Sequence, residues 1–253
     1  MAFSRPPVTT YLRLADLTVC VEHRYGVIPV YCKDYIVPPS TPDITVALSE
    51  QDCLASTTGV SPDASPDYIE FISLCRHLST AMAKRNVCLF HAAVIEVDGR
   101  GIGFFAPSGT GKSTHIGFWK KRYGDRVRIV NGDKPFLKQK DGIIYAYGSP
   151  FCGKERWQRN VAVPLHALCH LTRGETDSIT ALSPADATSL LLGQLYLPPD
   201  ATAALNVMGM TDTLVSSVAL YTVACTPTVH AAETVHNAIF FDEILKLKEG
   251  QLS

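Results

Sequence analysis

The chain has 253 residues, 46% apolar and 19% charged, a balance that excludes a disordered or fibrous protein and fits one domain or a domain with a small appendage. Its formal net charge is −1 without a long run of like charges, so neither nucleic acid nor a membrane surface is expected as a partner. No apolar stretch reaches the roughly 18 residues of a membrane span, and Met1-Ala2-Phe3-Ser4-Arg5-Pro6-Pro7 lacks the apolar core of a signal peptide, so a cytoplasmic location is expected.

The eight cysteines are scattered without a Cys-x-x-Cys pair and are expected as buried free thiols. Cys88 with His91, or Cys152 with Cys169 and His170, is the nearest approach to a zinc site, and neither finds a second ligand pair at a suitable spacing.

Residues 11–22, 27–35 and 43–48 are short β-favouring runs separated by turn residues and predict three or four strands. Residues 56–67, rich in Ser, Thr, Pro, Gly and Asp, read as an exposed connection, so a β-rich module is expected over 1–66 and a larger domain over 67–253. Ile69, Ile72, Cys75, Leu78 and Met82 recur at helical spacing and predict a helix over 68–85, on which His77 is expected to be structural or solvated. Residues 87–97 read as one strand, Asp98-Gly99 as a hairpin turn and 101–105 as the antiparallel partner. A hairpin at that place departs from a purely parallel nucleotide-binding sheet.

A helix over 114–123 is expected to stop at Gly124, followed by strands over 127–133 and 143–148. Residues 149–160 form a polar loop holding Lys154, Glu155, Arg156 and Arg159, either a solvated excursion or part of a site. A strand over 165–172 follows, then a helix from Ser183-Pro184 to Leu197 and a further helix capped by Asp200. Residues 218–225 read as a last core strand, and a helix runs from Pro227 to Ile239 with His230 and His236 expected on its surface.

Between the hairpin and the helix lies Ala106-Pro107-Ser108-Gly109-Thr110-Gly111-Lys112-Ser113-Thr114, the pattern of a Walker A phosphate loop with Ala106 in place of the first glycine. Gly109 and Gly111 let backbone N–H groups turn inward on an anion, and the helix N-terminus adds its positive end. Ser108, Gly109, Thr110, Gly111, Lys112, Ser113 and Thr114 are therefore the candidate ATP-binding residues. Lys112 is placed to meet the β- and γ-phosphates and Ser113 to ligate Mg²⁺. Asp133 ends the next apolar run, where a second carboxylate for the metal is expected, and a carboxylate there can also orient an acceptor hydroxyl. His91, a lone strand histidine, is on physical grounds more often a satisfied core residue. His115 is expected as packing or surface, and Trp119 as core.

Phe90-His91-Ala92-Ala93 with Asp98-Gly99, the loop Ser108 to Thr114, and Asn131-Gly132-Asp133-Lys134-Pro135 together resemble the catalytic domain of the HPr kinase/phosphorylases, which share a nucleotide-binding core with the phosphoenolpyruvate carboxykinases. A closer likeness is to small HPr-kinase-like proteins of bacterial peptide-tailoring gene sets, through Ser113-Thr114-His115-Ile116-Gly117-Phe118-Trp119 and the loop from Gly148 to Lys154. The resemblance implies an α/β fold with a mixed sheet around the phosphate loop, preceded by the β-rich module. It also implies catalytic roles for His91, Lys112 and Asp133, with Asp133 as the base, and a metal site of Ser113 and Asp133 with Glu155 the nearest candidate for a further ligand. The family's first acid of a pair is replaced here by Gly132.

The expected function is an ATP- and Mg²⁺-dependent kinase whose acceptor is the hydroxyl of a peptide or protein serine, with a small-molecule hydroxyl as the main alternative. A homo-oligomer is compatible with the resemblance. A carboxykinase-like lyase would need further metal and carboxylate ligands on a longer chain, and a non-catalytic ATP sensor or assembly protein is the reading that Gly132 favours.

Overall fold

The computed structural model describes residues 5–58 and 60–250, with side chains to residue 240. The chain opens with a tight hairpin of β1 (Val8–Leu14) and β2 (Leu17–His23), which turns at Ala15 and Asp16, both at positive φ, so the run read over 11–22 is two strands. Residues 27–35, expected as a strand, are instead the short helix α1 (Val27–Tyr31) and a 3-10 turn (Lys33–Tyr35). The β-branched residues there suggest a strand, but Ile28 and Tyr35 are both fully buried in the cluster that holds the apolar face of the third helix, and tertiary packing overrides local preference.

Strand β3 (Ile44–Ala47) pairs parallel to β2 and completes a three-stranded sheet in the order β1-β2-β3. Helix α2 (Glu50–Ala55), absent from the sequence reading, starts on a capping box in which Ser49 and Asp52 satisfy each other's backbone N–H groups. Helix α3 (Pro66–Ala83) follows, capped by Ser65 with Pro66 at its first position. The expected division at 66/67 falls on its first turn. Its buried side packs in one cluster with Leu12, Val19, Ile44, Phe136 and Phe151.

The expected strand over 87–97 is broken. β4 (Val87–Leu89) pairs with β8 (Phe136–Lys140), whereas β5 (Ala93–Val97) pairs with β6 (Arg100–Phe105) and β7 (Val127–Asn131). Residues 90–92 carry the chain from one half of the larger sheet to the other, so His91 lies in that crossing and not on a strand. The hairpin between β5 and β6 forms as read, with Asp98 and Gly99 at φ 50 and 80.

The nine-stranded sheet is mixed and curled, and β10 (Ala162–Arg173) is its hinge. Its start pairs antiparallel with β9 (Ile143–Tyr147), while its remainder runs parallel to β6 and to β12 (Ala219–Cys225), which carries the short edge strand β11 (Ser178–Ala181). Helices α4 (Lys112–Tyr123) and α7 (Val229–Gly250) cover one face of this sheet, and α5 (Pro184–Leu192) and α6 (Ala201–Ser217) the other. α5 ends five residues short of the expected Leu197, leaving Gln194 and Leu195 to bond back to the crossing at His91 and Phe90. Strand alternation sorts the faces. Ile95, Ile102 and Phe104 meet α4 and α7, while Val94, Phe105 and Leu168 meet α5 and α6. The eight cysteines are free. Among the described residues, no helix is long and apolar enough to cross a membrane.

Trp119 is fully buried, as expected, and its indole N–H donates to His115 Nε2 at 3.0 Å. His115 is buried against Phe104, and His236 stacks between Tyr123 and Phe240 rather than standing on the helix surface. To accept from Trp119, the His115 ring must be neutral, and burial holds its pKa down at about 4. The unfolded chain then takes up a proton that the folded chain refuses, so this stabilisation is present above pH ~6.5 and is lost as pH falls toward 4. Urea unfolding at pH 7 and pH 5 should show wild type losing roughly 2 kcal/mol more than His115→Gln over that interval, and equal losses would contradict the assignment.

Candidate active site

β6 delivers the chain into the glycine-rich loop. Ala106 is completely buried, and Gly109 and Gly111 sit at φ 79 and 119, in the left-handed region that a Cβ disfavours. α4 begins at Lys112 with Gly111 as its cap and no capping side chain, so its first-turn N–H groups face the loop without a side-chain acceptor. A helix N-terminus of this kind, joined to a lysine, is suited to an anion. Lys112 Nζ donates to Ala106 O at 2.8 Å, folding back across the loop, and burial lowers its pKa while the charge of Asp133 opposes that shift. Arg173, at the end of β10, donates to Gly109 O at 2.9 Å. Sequence reading missed this cation, because only the parallel register of β10 on β6 brings it to the loop.

The Ser113 hydroxyl donates to Glu155 Oε1 at 3.0 Å. Glu155 reaches it because the 149–160 loop lies back along the end of β7. Gly132 N–H donates to Trp157 O at 2.8 Å, Arg159 N–H to Val130 O at 3.1 Å and Lys134 N–H to Phe151 O at 3.0 Å. Buried Asn131 holds the join. Its Oδ1 accepts from the N–H groups of Asp133 and Lys134 at 2.9 and 2.7 Å, and its Nδ2 donates to Ser149 O at 2.9 Å. Asn131 and Lys134 belong to the stretch that carried the resemblance, yet neither had a role read for it. An Asn two residues before Asp133 is a local turn signal that would have given the first.

This turn presents Asp133 to His91, whose Nε2 lies 3.2 Å from Asp133 Oδ1, and to Lys134, which contacts Oδ2. The crossing at residues 90–92 fixes His91 through its N–H bond to Gln194 O at 2.8 Å. Burial pushes the Asp133 carboxyl up, but the His91 hydrogen bond and the charge and hydrogen bond of Lys134 outweigh it and hold the pKa at about 2. A Cβ on Gly153 would stand 3.2 Å from Asp133 Cβ and 3.5 Å from Glu155 Oε2, so both carboxylate side chains border the same glycine. The structure thus brings Lys112, Ser113, Asp133, His91 and Glu155 to one place. Ser108, Gly109 and Thr114 are exposed around the loop, and Thr110 bonds back to Pro107 O.

The oxygen donors Ser113, Asp133 and Glu155 are those a magnesium ion takes, with phosphate and water oxygens completing its shell. Among the described residues, no group of three His, Cys, Asp or Glu side chains forms a metal site by itself. Gly132, where the resemblance implies an acid, is tightly packed, and the 149–160 loop would have to give by a few tenths of an ångström to admit a side chain. A Cβ there would meet Trp157 Cβ at 3.1 Å and Cys152 O at 3.2 Å.

Beside the His91–Asp133 pair opens a cleft of about 600 Å³, walled by Tyr31, Phe71, Ile72, Phe151 and Tyr196. On the far side of the loop a shallower cleft of about 370 Å³ lies between residues 107–110 and 170–173.

Fold and site together define a mixed α/β protein organised around a glycine-rich loop at a helix N-terminus. A family model described as SynChlorMet cassette protein ScmC matches residues 60–196, just over half of the chain, and the chain belongs to that family. The matched region contains the loop, His91, Asp133 and Glu155. No curated protein matches the chain. Among solved structures, the HPr(Ser) kinase/phosphatase from Coxiella burnetii is similar over 64% of this chain and 94% of that one, at 12% identity and a TM-score of 0.38, too slight a likeness to carry an argument.

The crowding at Gly132 gives a direct test. Gly132→Asp should destabilise the protein by about 1–3 kcal/mol in thermal or urea unfolding, as overpacked sites do, whereas a neutral substitution would mean the loop yields freely.

Proposed function

We propose that the protein is an ATP- and Mg²⁺-dependent phosphotransferase of the HPr-kinase-like kind, acting on an acceptor hydroxyl. The observation that carries the reading is the convergence of Lys112, Ser113 and Glu155 on the His91–Asp133 pair, which itself lines the 600 Å³ cleft. The motif resemblance supports it independently of overall structural likeness.

In this reading the triphosphate lies over the backbone of residues 108–114, and Lys112 exchanges Ala106 O for phosphate oxygens. Ser113, Glu155 and Asp133 would hold Mg²⁺, which when bound would offset phosphate charge. The acceptor hydroxyl enters from the cleft and bonds to Asp133. Its oxygen forms a bond to the γ-phosphorus as the bond from that phosphorus to the ADP oxygen breaks, and the hydroxyl proton passes to Asp133 and then to solvent. A carboxylate held at about 2 is a weak base. In a loose transfer the attacking oxygen keeps its proton until late, so Asp133 acts first by orienting the hydroxyl. His91 keeps the carboxylate aimed, and Lys134 adds positive charge beside it.

Gly132 gave the sensor reading its only support, and the close packing at that residue supplies a structural reason for the missing acid. Lys112→Ala should weaken MgATP binding at least about tenfold in calorimetric titration, and wild-type affinity in that variant would overturn the phosphate-loop assignment. Asp133→Asn should abolish label transfer from γ-labelled ATP to fractionated host extract, by a factor of at least ~100, while keeping nucleotide affinity within a few fold. Retained transfer would remove Asp133 from the chemistry.

A further inference from the structure

Helix α3 presents Tyr68, Ile72, Arg76 and Thr80 at intervals of four, in one row along the helix that its C-cap residue Lys84 continues. The first three line the cleft beside Asp133. Arg76, Thr80 and Lys84 line a second cleft of about 500 Å³, and Tyr196 borders both. The two clefts are therefore neighbours along one helical row, sharing Arg76 and Tyr196 in their linings. From Tyr68 to Lys84 that row is roughly 24 Å long at 1.5 Å per residue, the span of about seven residues of extended chain. At its far end the second cleft is bounded by Thr45, Val46 and Ala47 of β3, the outer strand of the three-stranded sheet. An outer strand offers backbone groups to an added extended segment.

We infer that these two neighbouring clefts together bind an extended peptide of at least about seven residues, whose hydroxyl-bearing residue lies at the Asp133 end and whose distal part passes over Arg76 and along α3 toward β3. The inference rests on the phosphotransferase reading above for which end reacts. A small-molecule acceptor would fill the first cleft alone and leave the second without a role. The charge pattern favours a peptide with an acidic residue beside the hydroxyl. In the second cleft Lys84 is paired with Asp200 and His77 with Asp52, whereas the first sets Arg76, Lys134 and Lys154 against the single carboxylate Asp133. Arg76 donates to the carbonyls of Ala55 and Thr58 and has no carboxylate partner among the described residues, so its charge is not neutralised by a neighbouring acid. The ring wall of Tyr31 and Phe71, with centroids 4.6 Å apart, and Phe151, 5.4 Å from Phe71, suits an apolar side chain near the reacting residue. The N-terminal residues thereby contribute Tyr31 and β3 to acceptor selection.

The test uses the full-length protein, γ-labelled ATP and two synthetic peptide pools with one serine and random flanks, decamers and tetramers, with N-acetylserine amide as the smallest acceptor. Each pool is also passed over immobilised Asp133→Asn protein, and retained peptides are weighed by mass spectrometry. Decamers should be labelled and retained at least about tenfold better than tetramers, and Thr80→Arg, which fills the second cleft, should remove that advantage while tetramer labelling persists. MgATP binding by Thr80→Arg verifies that the variant is folded. Equal handling of both pools, insensitivity to Thr80→Arg, labelling of N-acetylserine amide alone, or no retention of either pool would overturn the groove. Length-dependent retention that Thr80→Arg abolishes, with no label transferred by wild type, would keep the groove and defeat the phosphotransferase reading.

Discussion

The candidate site hangs on the Asn131 side chain. It is completely buried, and its amide reinforces the backbone bonds between two segments: the turn after β7, which carries Asp133 and Lys134, and the 149–160 loop, which it grips at Ser149. The Ser149 hydroxyl closes the circuit on Lys134 O. A buried amide with its hydrogen bonds satisfied fixes geometry strongly, because any movement would leave polar atoms without partners in a low-dielectric interior. Through this join Glu155 is carried to Ser113 and Gly153 to Asp133, so the carboxylates and the glycine-rich loop stand in fixed relation although they lie far apart in the chain.

The second constraint is the crossing at residues 90–92. There the chain leaves pairing with β8 for pairing with β6 and β7, and the change of partner frees His91 from the strand alternation that would otherwise point it into a core. Its backbone is held by Gln194, from the connection between α5 and α6, so the early end of α5 and the position of His91 are one structural fact. The 600 Å³ cleft opens where this crossing, α3 and the 149–160 loop meet, and its walls come from both the smaller sheet's region and the larger sheet.

Features set by neighbours in sequence were legible. The Asp98-Gly99 hairpin needs only two residues at positive φ, the Gly109 and Gly111 turns are intrinsic to glycine, and α3 and α6 announce themselves by period and cap. Features set by distant partners were not. Nothing local in 87–97 marks the break at His91, which follows from which strands are available to pair. Val27, Ile28, Val30 and Tyr31 favour a strand by composition and become a helix by packing on α3. Arg173 reaches Gly109 only through the register of β10 on β6, and Gly132 looked like a lost acid until its contact with Trp157 gave it a packing reason.

The most direct measurement is a crystal structure with a non-hydrolysable ATP analogue and Mg²⁺. The account requires the triphosphate over residues 108–114, the terminal phosphate between Lys112 and Asp133, and the metal on Ser113 with Glu155 or Asp133. A nucleotide seated only in the cleft beside residues 170–173, or phosphates remote from Lys112, would contradict it.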